Sequence, residues 1–99
     1  MIRYEVTVQV RDDLRDAFER YFITRHIPEI LATGCFRDIR FDRADSGAYR
    51  TVYHAATRAE LDRYLREHTA RFRDDFLQHF PEGVTPSREQ WTALKEWKR

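Results

Sequence analysis

Residues 2–10 alternate without a break. Ile2, Tyr4, Val6, Val8 and Val10 are apolar, and the residues between them, Arg3, Glu5, Thr7 and Gln9, are polar. Successive side chains of a strand point to opposite faces, so this pattern calls for a strand with one face against a core. The β-branched content supports the same assignment. The second face is polar without being uniformly charged, which leaves it free for some use other than solvation.

The turn Arg11-Asp12-Asp13 places two aspartates where the positive end of a helix favours them. Leu14, Ala17, Phe18, Tyr21 and Phe22 then recur at helical spacing. At roughly 100° per residue, Ile27, Ile30 and Leu31 land nearly opposite that stripe. Pro28 lies at the phase break, where a kink or a first turn accommodates it. The spacing therefore predicts a helix over about 12–25 and a short second helix to about 32, capped by Gly34.

Residues 35–43 read as a second strand, with Cys35, Arg37, Ile39 and Phe41 opposed to Phe36, Asp38, Arg40 and Asp42. Ala44-Asp45-Ser46-Gly47 turns the chain into a third strand over 48–56, making a hairpin. Thr57-Arg58-Ala59-Glu60 is a capping box, and Leu61, Tyr64, Leu65, His68, Phe72 and Phe76 form the buried stripe of the helix it starts. Pro81-Glu82-Gly83 ends that helix. A last strand over about 84–93 covers an edge that three strands would leave exposed. The order βαββαβ predicts an α+β, ferredoxin-like domain over 1–99, an antiparallel four-stranded sheet with helices on one face.

Composition narrows the function classes. The formal net charge is +1, from 18 basic and 17 acidic side chains interleaved along the chain. That balance gives no electrostatic footprint for nucleic acid or for an anionic membrane. No apolar stretch approaches the roughly 20 residues that span a bilayer. Cys35 is the only cysteine, so no internal disulfide is available. The first residues lack a signal-peptide pattern, and the expected setting is cytoplasmic.

Tyr4-Glu5-Val6, His26-Ile27-Pro28-Glu29, Ala32-Thr33-Gly34-Cys35-Phe36 and the Leu65-x-x-His68 end of the second long helix carry a resemblance across almost the whole chain. The sequence resembles the small bacterial family called domain of unknown function 4286. The resemblance implies a dimeric α/β-barrel, in which two ferredoxin-like sheets pack face to face. It implies no activity and no catalytic residues. The residues point to a homodimer independently, because a sheet with helices on one face leaves Val52, with Phe36 beside it, on a surface awkward to keep wet.

Glu5, Thr7 and Gln9 are expected on that open face, with Phe36, Asp38 and Arg40 on the second strand and Arg50, Val52 and His54 on the third. Glu5, Arg40 and His54 would make a carboxylate–guanidinium–imidazole group suited to anion binding or proton transfer. The plainer reading of the same three is a hydrogen-bonded dimer interface. His26 and Glu29 offer two metal-ligand types, yet a full ligand set is missing, and His26 more readily packs the helix break. His68 on the apolar stripe is the residue a haem-binding barrel would use as axial ligand, although a satisfied core histidine is far commoner. Cys35 reads as a buried thiol.

Absences weigh against several chemistries. The chain has no asparagine, which weakens the cofactor-independent monooxygenase and acylphosphatase readings of related folds. Ser46 and Ser87 lie in apparent turns, so a Ser-His-Asp triad is not expected. There is no glycine-rich phosphate loop and no aromatic RNA-binding motif. The expectation is a cofactor-free dimeric module holding a small polar or anionic ligand between its sheets. The alternative is a small monooxygenase- or isomerase-type enzyme with His54 or His26 as base.

Overall fold

The computed structural model describes residues 2–99. β1 (Ile2–Val10) leads through a short 3-10 turn into α1 (Arg15–Tyr21), a π-helical turn (Phe22–His26) and α2 (Ile27–Leu31). β2 (Asp38–Arg43) and β3 (Ala48–Ala55) form the hairpin, α3 (Arg58–Glu67) and α4 (Thr69–His79) follow, and β4 (Val84–Thr92) closes the sheet. The strands are all antiparallel and lie in the order β2-β3-β1-β4. This is the ferredoxin-like α+β arrangement that the sequence predicts.

Register sets the two faces. Tyr4 lies opposite Tyr53 and Val8 opposite Tyr49, so the apolar side of β1 and the tyrosines of β3 share the helix-covered face. Two aromatic clusters fill that layer. One gathers Tyr4, Phe36, Tyr53, Leu61, Tyr64 and Phe72, and the other Val8, Phe18, Phe22, Tyr49, Phe76 and Phe80. The open face carries Arg3, Glu5, Thr7 and Gln9 of β1, with Arg50, Val52 and His54 of β3 beside them.

The expected phase break between two helices is resolved differently. The chain stays helical from Arg15 to Leu31, and the turn Phe22–His26 is widened to π geometry, with the Ile27 N–H reaching back five residues to the Phe22 carbonyl. Pro28 has no N–H to donate, and its ring crowds the carbonyl four residues back, so an ordinary turn there is unfavourable. The wider turn keeps Phe18, Phe22, His26 and Ile30, four residues apart each, on the buried side. At a constant 100° per residue Ile30 falls nearly opposite Phe18 and Phe22, and the wide turn is what returns it to their side.

Three further differences follow from local chemistry. Phe36 packs against Tyr53 and Tyr64 in the core, with ring centroids 5.1 and 4.8 Å away, instead of facing the open side. The second strand begins at Asp38, because Gly34 at φ 77° ends α2 and the segment after it tucks both Cys35 and Phe36 inward. The second long helix is broken at His68 (φ −125°) into α3 and α4. Its start matches expectation, with the Glu60 N–H donating to Thr57 Oγ1 at 3.2 Å.

Beyond Thr92, residues 93–99 form no helix or strand. Leu94 and Trp97 in that segment are 96% and 79% exposed.

Candidate functional site

The sheet offers two candidate surfaces, the open face and the space under the helices. On the open face, β1 presents Glu5 opposite Val52 of β3, and Val52 lies opposite Arg40 of β2. Val52 thus separates Glu5 from Arg40 by two strand spacings, roughly 10 Å. Each takes other neighbours. Arg40 Nε donates to Asp42 at 3.1 Å, and the His54 imidazole hydrogen-bonds the Asp38 carboxylate across the hairpin. Glu5 lies opposite Glu89 of β4, a like-charged pair that disfavours the isolated sheet. A depression of about 330 Å³ here includes Glu5, Thr7, Arg50, Glu89 and Trp91 in its lining. The three expected partners share a face but do not converge.

The second pair of expected residues is split by the π turn. His26 points inward and is 8% exposed, whereas Glu29 stays in solvent beside Arg25, 3.3 Å from its Nε. Among the described residues no group of three His, Cys, Asp or Glu side chains is spaced to hold a metal ion. His68 stands at the α3–α4 break, in an open groove that also includes Arg25, Glu29, Arg71 and Asp75, and its Nδ1 lies 3.3 Å from an Arg71 guanidinium nitrogen. Cys35 is a buried free thiol.

The space under the helices holds what the sequence reading missed. A cavity of about 30 Å³ lies between the sheet and α4. Tyr4 and Tyr53 rise into it from the sheet, Tyr64 comes from α3, and Thr69, Phe72, Arg73 and Phe76 line it along one stripe of α4. His26 closes it from the π turn, and Arg88 from the helix-covered side of β4. Helical spacing of 69, 72, 73 and 76 was a signal available in the sequence. The convergence with position 88 was not, since it depends on the sheet order.

Electrostatics inside the cavity favours neutral rings. Burial pushes the His26 pKa down to about 4; Asp75 acts to raise it and Arg88 to lower it further. The imidazole stacks on Phe22 at 4.4 Å between centroids and meets the edge of Phe72. Burial likewise raises the phenols of Tyr53, Tyr64 and Tyr4. At Tyr4 the nearby Arg88 and Arg73 guanidiniums partly oppose that rise. The buried Thr69 Oγ1 lies near the Tyr64 hydroxyl, whereas the His26 Nδ1 is buried without a hydrogen-bond partner among the described residues. Buried polar atoms are seldom left so.

Comparison with known proteins gives a family and a fold. The family model described as Domain of unknown function (DUF4286) matches residues 1–94. No curated protein matches the chain. Two solved structures, each called a "putative antibiotic biosynthesis monooxygenase", are similar in fold. The one from Deinococcus radiodurans has a TM-score of 0.73 at 13% identity, covering 100% of this chain and 98% of that one. The one from Nitrosomonas europaea has a TM-score of 0.69 at 15% identity, covering 96% and 100%. A dimeric ferredoxin-like protein from an uncultured marine organism has a TM-score of 0.69 at 15% identity, covering 97% of each chain.

Proposed function

We propose, for a chain that belongs to the Domain of unknown function (DUF4286) family, the role of a homodimeric α/β-barrel binding module. Two copies bring their open sheet faces together, and a small polar or anionic ligand is the cargo. The observation that carries the dimer is the end of the chain. Trp91 on the open side of β4 and Leu94 and Trp97 just beyond the strand are all exposed, three large apolar side chains within seven residues of the sequence. A second copy covers such a patch. Charge supports it, because among the described residues Glu5 and Glu89 face each other with no cation within 4 Å, while Arg3 on the same face has no carboxylate and Arg40 and Arg50 share the single carboxylate of Asp42. A two-fold axis lets the arginines of one copy meet the glutamates of the other. The solved neighbour called dimeric agrees with this reading.

Native mass spectrometry of the protein purified without added ligand is the test. A mass of two chains is expected, and Trp91→Glu should shift the population toward folded monomer. A wild-type protein that stays a folded monomer at tens of micromolar overturns the reading.

A second reading, an enzyme of monooxygenase or isomerase type with a histidine base, draws on one observation. The neutral, buried His26 imidazole has a ring nitrogen to spare, whereas the His54 ring is engaged by Asp38. Exchange of an acidic C–H of small ketones and phenols into heavy water tests it. Acceleration that disappears in His26→Gln supports the enzyme, and no acceleration across the panel removes it.

A further inference from the structure

The cavity under the helices differs from the rest of the surface in one respect. The open-face depression and the groove at His68 each mix arginine with carboxylate, yet the lining of this cavity contains Arg73 and Arg88 and no acidic residue. Among the described residues, neither of these two arginines has a carboxylate within 4 Å. They come from separate elements, α4 and β4, and both lie near the Tyr4 hydroxyl. Behind them, the His26 Nδ1 is an unpartnered buried polar atom of the cavity wall, His26 is more than nine-tenths buried, and the Thr69 hydroxyl shares the lining.

We propose that this cavity is a binding site for a small organic carboxylate with a polar group on its short tail, held inside each subunit between α4 and β4. The carboxylate lies at the mouth between Arg73 and Arg88, whose planar guanidiniums match its geometry. The tail enters among Tyr4, Tyr53 and Tyr64. A volume of about 30 Å³ accepts roughly two water-sized groups. That size selects a short hydroxy or oxo acid over an aromatic acid or a nucleotide, and the hydroxyl or carbonyl of the tail reaches the unpartnered His26 Nδ1 and the Thr69 hydroxyl. The site lies on the opposite side of the sheet from the dimer face, so it stands whether or not the chain dimerises.

Glycolate is the probe, followed by NMR on the arginine side-chain Nε–H groups and the His26 ring. Saturable shifts are expected at Arg73 and Arg88, with weakening of about tenfold or more in Arg88→Gln or Arg73→Gln, since each removes a charge-assisted contact. Both arginines are exposed, so these variants retain the fold. The His26 pKa should rise on binding, because a carboxylate paired with Arg88 offsets the lowering that this guanidinium exerts on a ring otherwise acted on by Asp75 from α4 and walled by Tyr21, Phe22, Phe72 and Phe76. Glycolamide, which lacks the charge, should not bind. Three results overturn the proposal: no saturable shift with glycolate, equal binding by the Arg73→Gln/Arg88→Gln double variant, or the same shifts and affinity with chloride. None depends on the oligomeric state, which the mass measurement reads separately.

Discussion

His26 makes the stability of this protein depend on pH in a way that can be isolated. Replacing it with leucine removes the ring and keeps a side chain of similar bulk. In the folded protein burial holds the imidazole at a pKa of about 4, against an ordinary 6.5 once unfolded. Above about pH 7 both states are neutral there and the residue contributes no slope. As the pH falls below 6.5 the unfolded chain takes up a proton that the folded chain refuses, and stability declines by up to about 1.4 kcal/mol per pH unit. At about pH 5 the loss amounts to about 2 kcal/mol, approaching roughly 3 kcal/mol below pH 4, where the folded ring finally protonates. Urea unfolding of wild type and His26→Leu at about pH 7.5 and pH 5, in buffers free of small carboxylates, measures it. The comparison is of slopes, so any repacking offset common to both pH values cancels. Wild type should lose about 2 kcal/mol more than the variant. Parallel slopes would refute a buried neutral imidazole at this position.

Two other outcomes rest on the core. Phe18 is fully buried and its ring meets those of Phe22, Phe41, Tyr49, Phe76 and Phe80, so Phe18→Ala should cost about 3–5 kcal/mol in denaturant unfolding. Tyr49→Phe deletes the hydroxyl that donates to Glu19 Oε2 at 2.5 Å, while Arg43 at 3.0 Å and water remain for the half-exposed carboxylate. A loss of about 1 kcal/mol is expected, together with a rise in the Glu19 pKa seen by carboxyl NMR, since that hydroxyl is the largest influence holding it low.

The period-2 signal of residues 2–10 survives intact in the structure because one helix-covered face rewards every second side chain. The capping box at Thr57 is equally legible, being a local geometry of four residues. Phe36 departs from strand alternation because the backbone of its segment is set by the glycine cap before it. Ile30 departs from constant helical phase because the π turn adds one residue to a cycle. On the open face, alternation does place Glu5, Arg40 and His54 together, but the order of strands inserts Val52 between two of them and the hairpin supplies Asp38 and Asp42 as nearer partners. The cavity was illegible for a related reason. Its lining spans β1, the π turn, β3, α3, α4 and β4, and only sheet order and the crossing of α4 bring them together.

The π turn also bears on how this protein tolerates changes in length. A helix of uniform pitch accepts no net insertion or deletion without rotating everything beyond it, whereas Phe22–His26 already contains one residue more than an ordinary turn. Removing a residue there would force an ordinary turn against the crowding by Pro28 and would swing the following turn about 100° around the axis. Ile30 would leave the core and the imidazole would leave its cavity. The surplus residue is therefore a fixed part of the chain's length, and relatives that share this interior should keep the same count of residues between Phe18 and Gly34.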